Sequence, residues 1–374
     1  MAAVTSLPEV IDLTLDSDDD SDENTKPASV LTPTSIVFNP HPPPLSQPIQ
    51  RLPPSVGPSL TKLSRADHRT LVEKRTWLQT HKVAVPSIWR AAPSSSRASR
   101  HKATPCNDTV ASTNSSSSSI ATGTPVDATL VFAQQEAGTA VCLSPRGLLL
   151  SCAHCIADSP DDLSFARTHW LLFPSGALVA AVALAWDPRR DLALLLVTRC
   201  SAPPSSSPSR VPLVPEQPPF PHVRVAPSAP RPGASLVCIG HPAAEDLEHP
   251  VAGTQTGYDV LVVSTGSYRG LAPGPNPDPD TNPEPDSHPG QYQDPQDNAD
   301  IGALMHDCWT YWGHSGAPLV ERRAAGALVG LHSSWDDETA MRRGVPWEAV
   351  TAFLGECGER FEAQAAGDWP WFVK

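Results

Sequence analysis

One serine of this chain stands in a setting that suits a nucleophile. Ser315 lies between Gly313 and Gly316 within residues 311–320, and an apolar run follows it directly. Glycines permit a tight turn that pushes one hydroxyl forward while backbone N–H groups gather beside it. An acyl-transfer nucleophile and its oxyanion hole require this local geometry. Because turns of this composition are common, the pattern is informative only if a histidine and a carboxylate accompany it.

Both of these partners precede the serine in the chain. His154 follows an apolar run at 148–150 in the motif Ser-Cys-Ala-His-Cys, and Asp191 opens the apolar run Asp-Leu-Ala-Leu-Leu-Leu. The order is therefore histidine, carboxylate, serine, with a strand-like segment beside each of them. A histidine base, a carboxylate that orients the base and a serine hydroxyl are the three groups that triad catalysis combines.

The elements that must position these residues begin at about residue 125. Short apolar runs recur there at regular spacing, and turn residues separate them, which is typical of antiparallel barrels. A helix is predicted after Pro346, over residues 347–354. The apolar runs predict a first set of six strands at 130–132, 139–142, 148–150, 170–173, 178–185 and 192–197, and a second set at 222–226, 235–239, 260–263, 304–305, 318–320 and 327–331.

Taken together, the three motifs resemble those of the trypsin-like (chymotrypsin-fold) serine peptidases, over about residues 125–356. The segments 138–140, 187–189 and 239–242 are most similar to HtrA-like members, and the site is also similar to that of glutamyl endopeptidases. The resemblance implies an all-β fold of two six-stranded antiparallel β-barrels with a C-terminal helix. Only 20 residues, 355–374, follow that helix, so no PDZ domain is expected after it.

The resemblance also implies a role for each residue. His154 is the general base that takes the Ser315 proton and later gives it to the leaving amine, and Asp191 fixes the tautomer of the imidazole. Ser315 attacks the carbonyl, and the N–H groups of Gly313 and Ser315 form the oxyanion hole.

Two positions depart from the family pattern. His314 stands where secreted trypsin-like zymogens carry an aspartate that pairs with a freed N-terminus, so activation by N-terminal cleavage is not expected. Ala317 replaces the common glycine, and glutamyl-type members also carry a small non-glycine residue there.

The primary substrate pocket is the least determined part of the site. Thr310 and His332 match the places where glutamyl endopeptidases contact an acidic side chain, which predicts cleavage after Glu or Asp. The alternative is that His332 only packs and hydrogen-bonds inside the barrel, and the residues do not decide between the two. The predicted pocket residues are Trp309, Thr310, Leu331, His332, Ser333 and Ser334.

The first 124 residues have a different composition and are predicted to form a disordered arm. The chain has 43 prolines and a net charge of −13. Residues 1–25 hold eight carboxylates and no Lys or Arg, whereas residues 51–102 hold eleven Lys or Arg against two carboxylates. A short helix is predicted at 66–82, inside a basic Pro/Ser-rich linker. Because no tight basic cluster with interleaved aromatic residues occurs there, nucleic-acid binding is not expected.

One segment of this arm carries a motif of its own. The stretch 10–14 contains Val10, Ile11, Asp12 and Leu13, and the acidic run 16–23 follows it. Apolar residues of high β-propensity beside acids can add as an edge strand to another protein's sheet. The stretch resembles a SUMO-interacting motif (small ubiquitin-like modifier), which implies SUMO or SUMO-modified proteins as partners. The alternative is an acidic tail that only aids solubility.

The predicted domains are therefore an arm at 1–124, a peptidase domain at 125–360 and a tail at 361–374. Two insertions, 201–221 and 273–300, are predicted to be disordered, because the second has seven carboxylates, no basic residue and many prolines. No window is long and apolar enough to span a membrane, so no membrane partner is expected. The N-terminus has no signal-peptide pattern, and together with the SUMO-interacting-like motif this predicts an intracellular, nuclear location.

Metals and cofactors are not expected either. The chain has eight cysteines, and Cys152 and Cys155 have the spacing of zinc ligands, but no second cysteine pair completes such a site. Outside the secretory pathway these cysteines are expected to remain thiols.

The sequence thus predicts a serine endopeptidase that acts on protein or peptide substrates and uses no cofactor. A different class also fits: a catalytically inactive barrel that serves as a SUMO-binding adaptor. A third option is a processing protease that cleaves its own linker.

Overall fold

The computed structural model describes residues 36–45, 47–53, 56–89, 123–134, 138–201, 220–272, 302–323, 326–336 and 339–365. Five elements come first: β1 (Val37–Phe38), β2 (Gln50–Leu52), α1 (Pro58–Thr61), α2 (Arg65–Thr80) and a single 3₁₀ turn (Ser87–Trp89). Ser64 caps the N-terminus of α2: its hydroxyl accepts the Asp67 N–H at 3.1 Å and so satisfies one of the N–H groups of the first turn. The helix predicted at 66–82 is present, shifted by one or two residues.

The first barrel has six antiparallel strands. In chain order they are β3 (Thr129–Phe132), β4 (Thr139–Cys142), β5 (Leu148–Ser151), β6 (His169–Leu172), β7 (Leu178–Asp187) and β8 (Leu192–Ser201). They are hydrogen-bonded in the order β7-β6-β3-β4-β5-β8, and the pairing of β7 with β8 closes the barrel. Nearly every residue of these strands is buried. The strands read as continuous apolar runs because their outer face is covered as well as their inner face.

The second barrel also has six antiparallel strands. They are β9 (Ser235–Gly240), β10 (Val262–Leu271), β11 (Leu304–His306), β12 (Pro318–Glu321), β13 (Leu328–Trp335) and β14 (Arg342–Pro346). They close in the order β10-β11-β14-β13-β12-β9. The predicted fold class, two six-stranded barrels and a C-terminal helix, is confirmed.

One strand prediction in this barrel was wrong. Residues 222–226 form no strand and make only an isolated bridge between Val225 and Leu328. The sixth strand is β14, which the sequence did not indicate because its residues are Arg-Arg-Gly-Val-Pro, with one large apolar side chain. Pairing with β11 on one side and β13 on the other, and not local propensity, makes this segment a strand.

The predicted disordered arm requires a correction over its described part. Strand β1 pairs antiparallel with β7, and β2 pairs parallel with β8. On α2, Leu71 and Leu78 are buried against the barrel, and Lys74 Nζ donates to the Phe132 carbonyl at 2.9 Å. The buried residues of α2 have helical spacing, but β1 and β2 are only two and three residues long and no local pattern indicates the barrel that they join, so the segment resembles a linker. Residues 1–35 and 90–122, including the stretch 10–14 and the run 16–23, lie outside the described residues.

The C-terminal helix is longer than predicted. Helix α3 spans Trp347–Ala365, past the expected end at 354 and into the predicted tail at 361–374. Phe353 and Phe361 are buried, and the Phe361 ring meets the Phe38 ring edge-on at 5.8 Å. Residues 202–219 and 273–301, which contain most of the two predicted insertions, are outside the described part. None of the helices in that part combines the length and apolar character that a membrane span needs.

Candidate active site

His154 and Asp191 meet at one end of the first barrel. His154 Nδ1 lies 2.9 Å from Asp191 Oδ1 and 3.0 Å from Oδ2, and the His154 backbone N–H donates to Oδ1 at 3.2 Å. The Asp191 side chain is completely buried, whereas that of His154 is 14 % exposed. A carboxylate at Nδ1 keeps the proton on that nitrogen, so Nε2 is the nitrogen that can act as a base.

The turn before β8 presents this carboxylate. Asp187 Oδ1 accepts the N–H groups of Arg189 and Arg190 at 3.1 and 3.2 Å, and the Asp191 N–H donates to the Pro188 carbonyl. Asp191 has a φ of +52°, which aspartate adopts more readily than most residues. The Asp-Pro-Arg-Arg-Asp segment therefore forms a turn with Asp191 at its inner end.

A third group contacts the same carboxylate. The Ser333 hydroxyl, on β13 of the second barrel, donates to Asp191 Oδ2 at 2.5 Å. The sequence placed Ser333 in the substrate pocket and did not identify this contact. No local pattern indicates it, since the two residues are 142 positions apart.

Ser315 lies in the turn before β12, against the start of β4. Its carbonyl accepts the Thr139 N–H at 2.9 Å, and the Gly316 N–H donates to the His332 carbonyl at 2.9 Å. The Ser315 hydroxyl donates to the Ser333 carbonyl at 3.1 Å. This hydroxyl proton must turn away from Ser333 before a base can take it, which is a rotation about one side-chain bond.

The turn also presents two backbone donors. Among the described residues, the N–H groups of Gly313 and Ser315 donate to no protein acceptor. Gly313 has a φ of +96°, and its carbonyl is held by the Gly138 N–H at 3.0 Å and by Thr139 Oγ1 at 3.3 Å. Fixing the carbonyl fixes the orientation of the neighbouring peptide groups, which is what an oxyanion hole requires.

Two thiols lie beside this centre. Cys152 Sγ donates to the His332 carbonyl at 3.4 Å, and Cys155 Sγ to the Ser315 carbonyl at 3.5 Å. Burial raises the pKa of the Cys155 thiol to about 12 and that of Cys152 well above its usual value. Both are therefore thiols at neutral pH.

Donor atoms of Cys152, His154 and Asp191 lie within 4.8 Å of one another, which is compact enough for a metal ion. A metal would need the Cys152 thiolate, which burial disfavours, and the atoms that His154 and Asp191 already use for each other. The arrangement therefore fits a hydrogen-bonded acid–base pair better than a ligand set.

The predicted pocket residues come together on β13 and the segment before Ser315. Thr310 is buried, and its hydroxyl has no hydrogen-bond partner among the described residues. His332 is 2 % exposed, and its Nδ1 lies 3.1 Å from His306 Nε2. His306, on β11, is a residue that sequence reasoning missed. Burial lowers the pKa of His306 to about 3, and it lowers the pKa of His332 well below its usual value. Both rings are therefore neutral at neutral pH.

Three tryptophans, Trp309, Trp312 and Trp335, adjoin these residues in the chain. Trp312 and Trp335 meet edge to face, with ring centroids 4.6 Å apart, and Trp312 is 38 % exposed. Trp309 is half-buried and meets the His314 ring at 5.4 Å. Ser334, near the C-terminal end of β13, is also half-buried.

Comparison with known proteins bears on this arrangement. The family model described as a trypsin-like peptidase domain matches residues 138–331, which is more than half of the chain. This span contains His154, Asp191 and Ser315. The chain therefore belongs to the family of proteins with a trypsin-like peptidase domain. The curated protein sequences include no match to it.

Solved structures are similar to the chain at low identity. The Rv3671c protease of M. tuberculosis, in an inactive form, has 16 % identity and a TM-score of 0.40, over 63 % of this chain and 90 % of that one. The serine endoprotease of Yersinia pestis has 17 % identity and a TM-score of 0.39, over 65 % of both chains. The HtrA-type protease AlgW with a decapeptide has 18 % identity and a TM-score of 0.36, over 57 % of this chain and 50 % of that one.

Proposed function

We propose that the protein is a serine endopeptidase in which His154, Asp191 and Ser315 form the catalytic triad. The observation that carries the proposal is the pair of contacts from His154 Nδ1 to the buried Asp191 carboxylate, at 2.9 and 3.0 Å, beside a glycine-flanked serine. A neutral imidazole with its Nδ1 proton fixed is a competent base at Nε2.

In the proposed reaction His154 Nε2 takes the Ser315 proton as Ser315 Oγ bonds to the scissile carbonyl carbon. The resulting oxyanion accepts hydrogen bonds from the N–H groups of Gly313 and Ser315, a contribution of about 3–4 kcal/mol in comparable sites. Collapse of the tetrahedral intermediate breaks the C–N bond, and imidazolium gives its proton to the leaving amine. A water molecule then attacks the acyl-enzyme carbonyl while His154 takes its proton. Ser315 leaves with that proton, and the acid product is released.

Labelling with a fluorophosphonate tests this proposal, because the reagent forms a stable bond only with an activated serine. Wild-type protein is expected to be labelled at Ser315. Ser315→Ala and His154→Ala are expected to abolish labelling, whereas Ser64→Ala, at the start of α2, is expected to leave it unchanged. Folded wild-type protein that resists the reagent would instead favour the inactive adaptor.

Cleavage after Glu or Asp is the proposed specificity. The buried hydroxyl of Thr310, which has no partner among the described residues, and the imidazole of His332 could both donate to a carboxylate without a full positive charge in the pocket. The contact between His332 and His306 also fits the alternative, in which His332 only packs inside the barrel.

A peptide library that varies only the residue before the scissile bond separates these two readings. Acidic preference predicts faster cleavage after Glu than after Gln, and loss of that ratio in Thr310→Val. The half-buried Thr70→Val on α2, outside the predicted pocket, is the control. A profile with no preference for Glu or Asp contradicts the proposal and leaves His332 a packing residue.

Recruitment to SUMO or SUMO-modified proteins, in the nucleus, is the remaining part of the proposal. Its support is the sequence Val10-Ile11-Asp12-Leu13 followed by the acidic run 16–23. Titration of the full chain with purified SUMO is expected to show binding that the triple substitution of Val10, Ile11 and Leu13 by Ala removes. The double substitution of Val4 and Leu7 by Ala, just outside the motif, is the control. Equal binding by both variants would contradict the assignment.

A further inference from the structure

The loop between β9 and β10 folds back on itself like a hairpin, next to the turn that carries Ser315. Glu245 and Gln255 face each other in an isolated bridge, and the Asp246 N–H donates to the Thr254 carbonyl at 2.7 Å. The Thr256 N–H donates to the Ala244 carbonyl at 2.8 Å. This segment, residues 243–256, has its own backbone hydrogen bonds and can act as a support for what it touches.

The segment touches the two residues before Gly313. The Tyr311 hydroxyl donates to Asp246 Oδ1 at 2.7 Å, and Trp312 Nε1 donates to Glu248 Oε1 at 3.1 Å. The Ala243 N–H donates to the Trp312 carbonyl at 2.7 Å. The hydrogen bond from Tyr311 also lowers the pKa of the Asp246 carboxyl below its usual value. Asp246 is therefore ionised at neutral pH and accepts the stronger, charge-assisted kind of hydrogen bond.

The same turn is held from its opposite side by the first barrel. Gly138 and Thr139 bond the Gly313 carbonyl, and Thr139 bonds the Ser315 carbonyl. Residues 311–315 thus lie between two supports, and the loop supplies the outer one. His314 does not supply a charge for this purpose, because burial lowers its pKa to about 4 and leaves it neutral.

We propose that Asp246 and Glu248 are positioning residues that hold Tyr311 and Trp312, and through them the Gly313 N–H, in the geometry that receives the oxyanion. This inference rests on the proposed peptidase function. The loop 243–256 thus supports the turn 311–315, which carries the two N–H groups of the oxyanion hole. Neither carboxylate contacts the reacting atoms, so the effect of removing one must be indirect.

The Tyr311–Asp246 pair offers a double-mutant cycle. Tyr311→Phe and Asp246→Ala are each expected to lower kcat on a peptide substrate about 5- to 20-fold with little change in KM, because oxyanion stabilisation acts on the transition state. Asp246→Ala removes the bond from Tyr311 and also the one from the Glu248 N–H, so the double variant is expected to be no worse than Asp246→Ala alone. Asp246→Asn, whose amide oxygen can still accept the hydroxyl, is expected to retain most of the activity.

Tyr258→Phe is the matched control. Its ring meets the Tyr311 ring at 5.3 Å, but its hydroxyl makes no hydrogen bond within the described residues. Amide hydrogen exchange of the peptide 309–316 gives a readout that does not depend on activity, and it is expected to be faster in Tyr311→Phe and Asp246→Ala only.

The outcomes distinguish this inference from the proposed function. Wild-type protein that the fluorophosphonate does not label would end the peptidase proposal, and the exchange data would still decide whether the loop holds the turn. Labelled wild type with unchanged kcat and unchanged exchange in Tyr311→Phe and Asp246→Ala would overturn the positioning role. Multiplied effects in the double variant would also overturn it. If Tyr311→Phe does not fold, Asp246→Ala on the half-exposed loop carries the test.

Discussion

The Ser333 hydroxyl and the Asp191 carboxylate are joined by a 2.5 Å hydrogen bond that crosses from the second barrel to the first. Asp191 precedes β8 of the first barrel, and Ser333 lies on β13 of the second. The backbone carbonyl of Ser333 also accepts the Ser315 hydroxyl. One residue therefore contacts both the acid and the nucleophile of the proposed triad, and the triad's geometry depends on how the barrels pack together.

Replacing Ser333 by Ala is expected to lower kcat/KM about 5- to 50-fold, because Asp191 loses a hydrogen bond that orients its carboxylate in a buried site. The rate of fluorophosphonate labelling measures the effect without knowledge of the substrate. The control is Ser64→Ala, which removes a serine–aspartate contact of 2.8 Å at the exposed start of α2. An unchanged labelling rate in folded Ser333→Ala would mean that the bond has no role in orienting Asp191.

Gly316→Ala is expected to disrupt the turn that carries Ser315. Gly316 has a φ of +80°, and an added Cβ would lie 2.1 Å from the Thr139 carbonyl oxygen. The expected loss is about 2–4 kcal/mol in the free energy of unfolding, measured with urea, together with loss of labelling. Gly233→Ala has a similar φ of +84° and open space around the added Cβ, so it isolates the backbone strain alone. Equal losses in both variants would show that the clash with Thr139 is relieved.

His169→Leu is expected to weaken the acid sensitivity of folding. His169 is buried in the first barrel, and neither ring nitrogen has a partner within the described residues. Burial lowers its pKa from 6.5 to about 4. Between these pH values the unfolded chain binds a proton at His169 that the folded chain does not. His169 therefore does not reduce the free energy of unfolding above pH 6.5, and it reduces this free energy progressively as the pH falls toward 4.

The expected size of this loss is about 3 kcal/mol for one group, at about 1.4 kcal/mol per pH unit. Urea unfolding at neutral and at acidic pH should show His169→Leu losing less stability than wild type, and the exposed His41→Leu losing as much as wild type. Equal pH dependence in all three proteins would show that His169 takes up no proton on unfolding.

Leu71→Ala and Leu78→Ala test whether α2 belongs to the folded unit. Both side chains are at least 97 % buried, so each truncation is expected to cost about 2–4 kcal/mol in the free energy of unfolding. Val72, on the same helix, is 45 % exposed, and Val72→Ala is expected to have little effect. Urea midpoints that do not change in the leucine variants would mean that α2 is only a tether.

The barrel strands and the proposed triad could be predicted from the sequence for a local reason. Strands such as β4, β5 and β8 are apolar runs bounded by turn residues, and that pattern is complete within each segment. His154, Asp191 and Ser315 each stand in a short motif of characteristic residues, and their order along the chain added the remaining specificity. The sequence by itself therefore determined the fold class and which side chains are candidates for catalysis.

Only the tertiary structure decided the contacts between distant segments. The bond between Ser333 and Asp191, the contact of His306 with His332, and the pairing of β14 with β11 and β13 leave no local pattern. The same holds for the pairing of β1 and β2 with the first barrel and for the burial of α2 against it, because the sequence indicated the helix but not what the helix packs against. Burial and long-range hydrogen bonding depend on the neighbour that folding brings close, and one segment of sequence does not contain that neighbour.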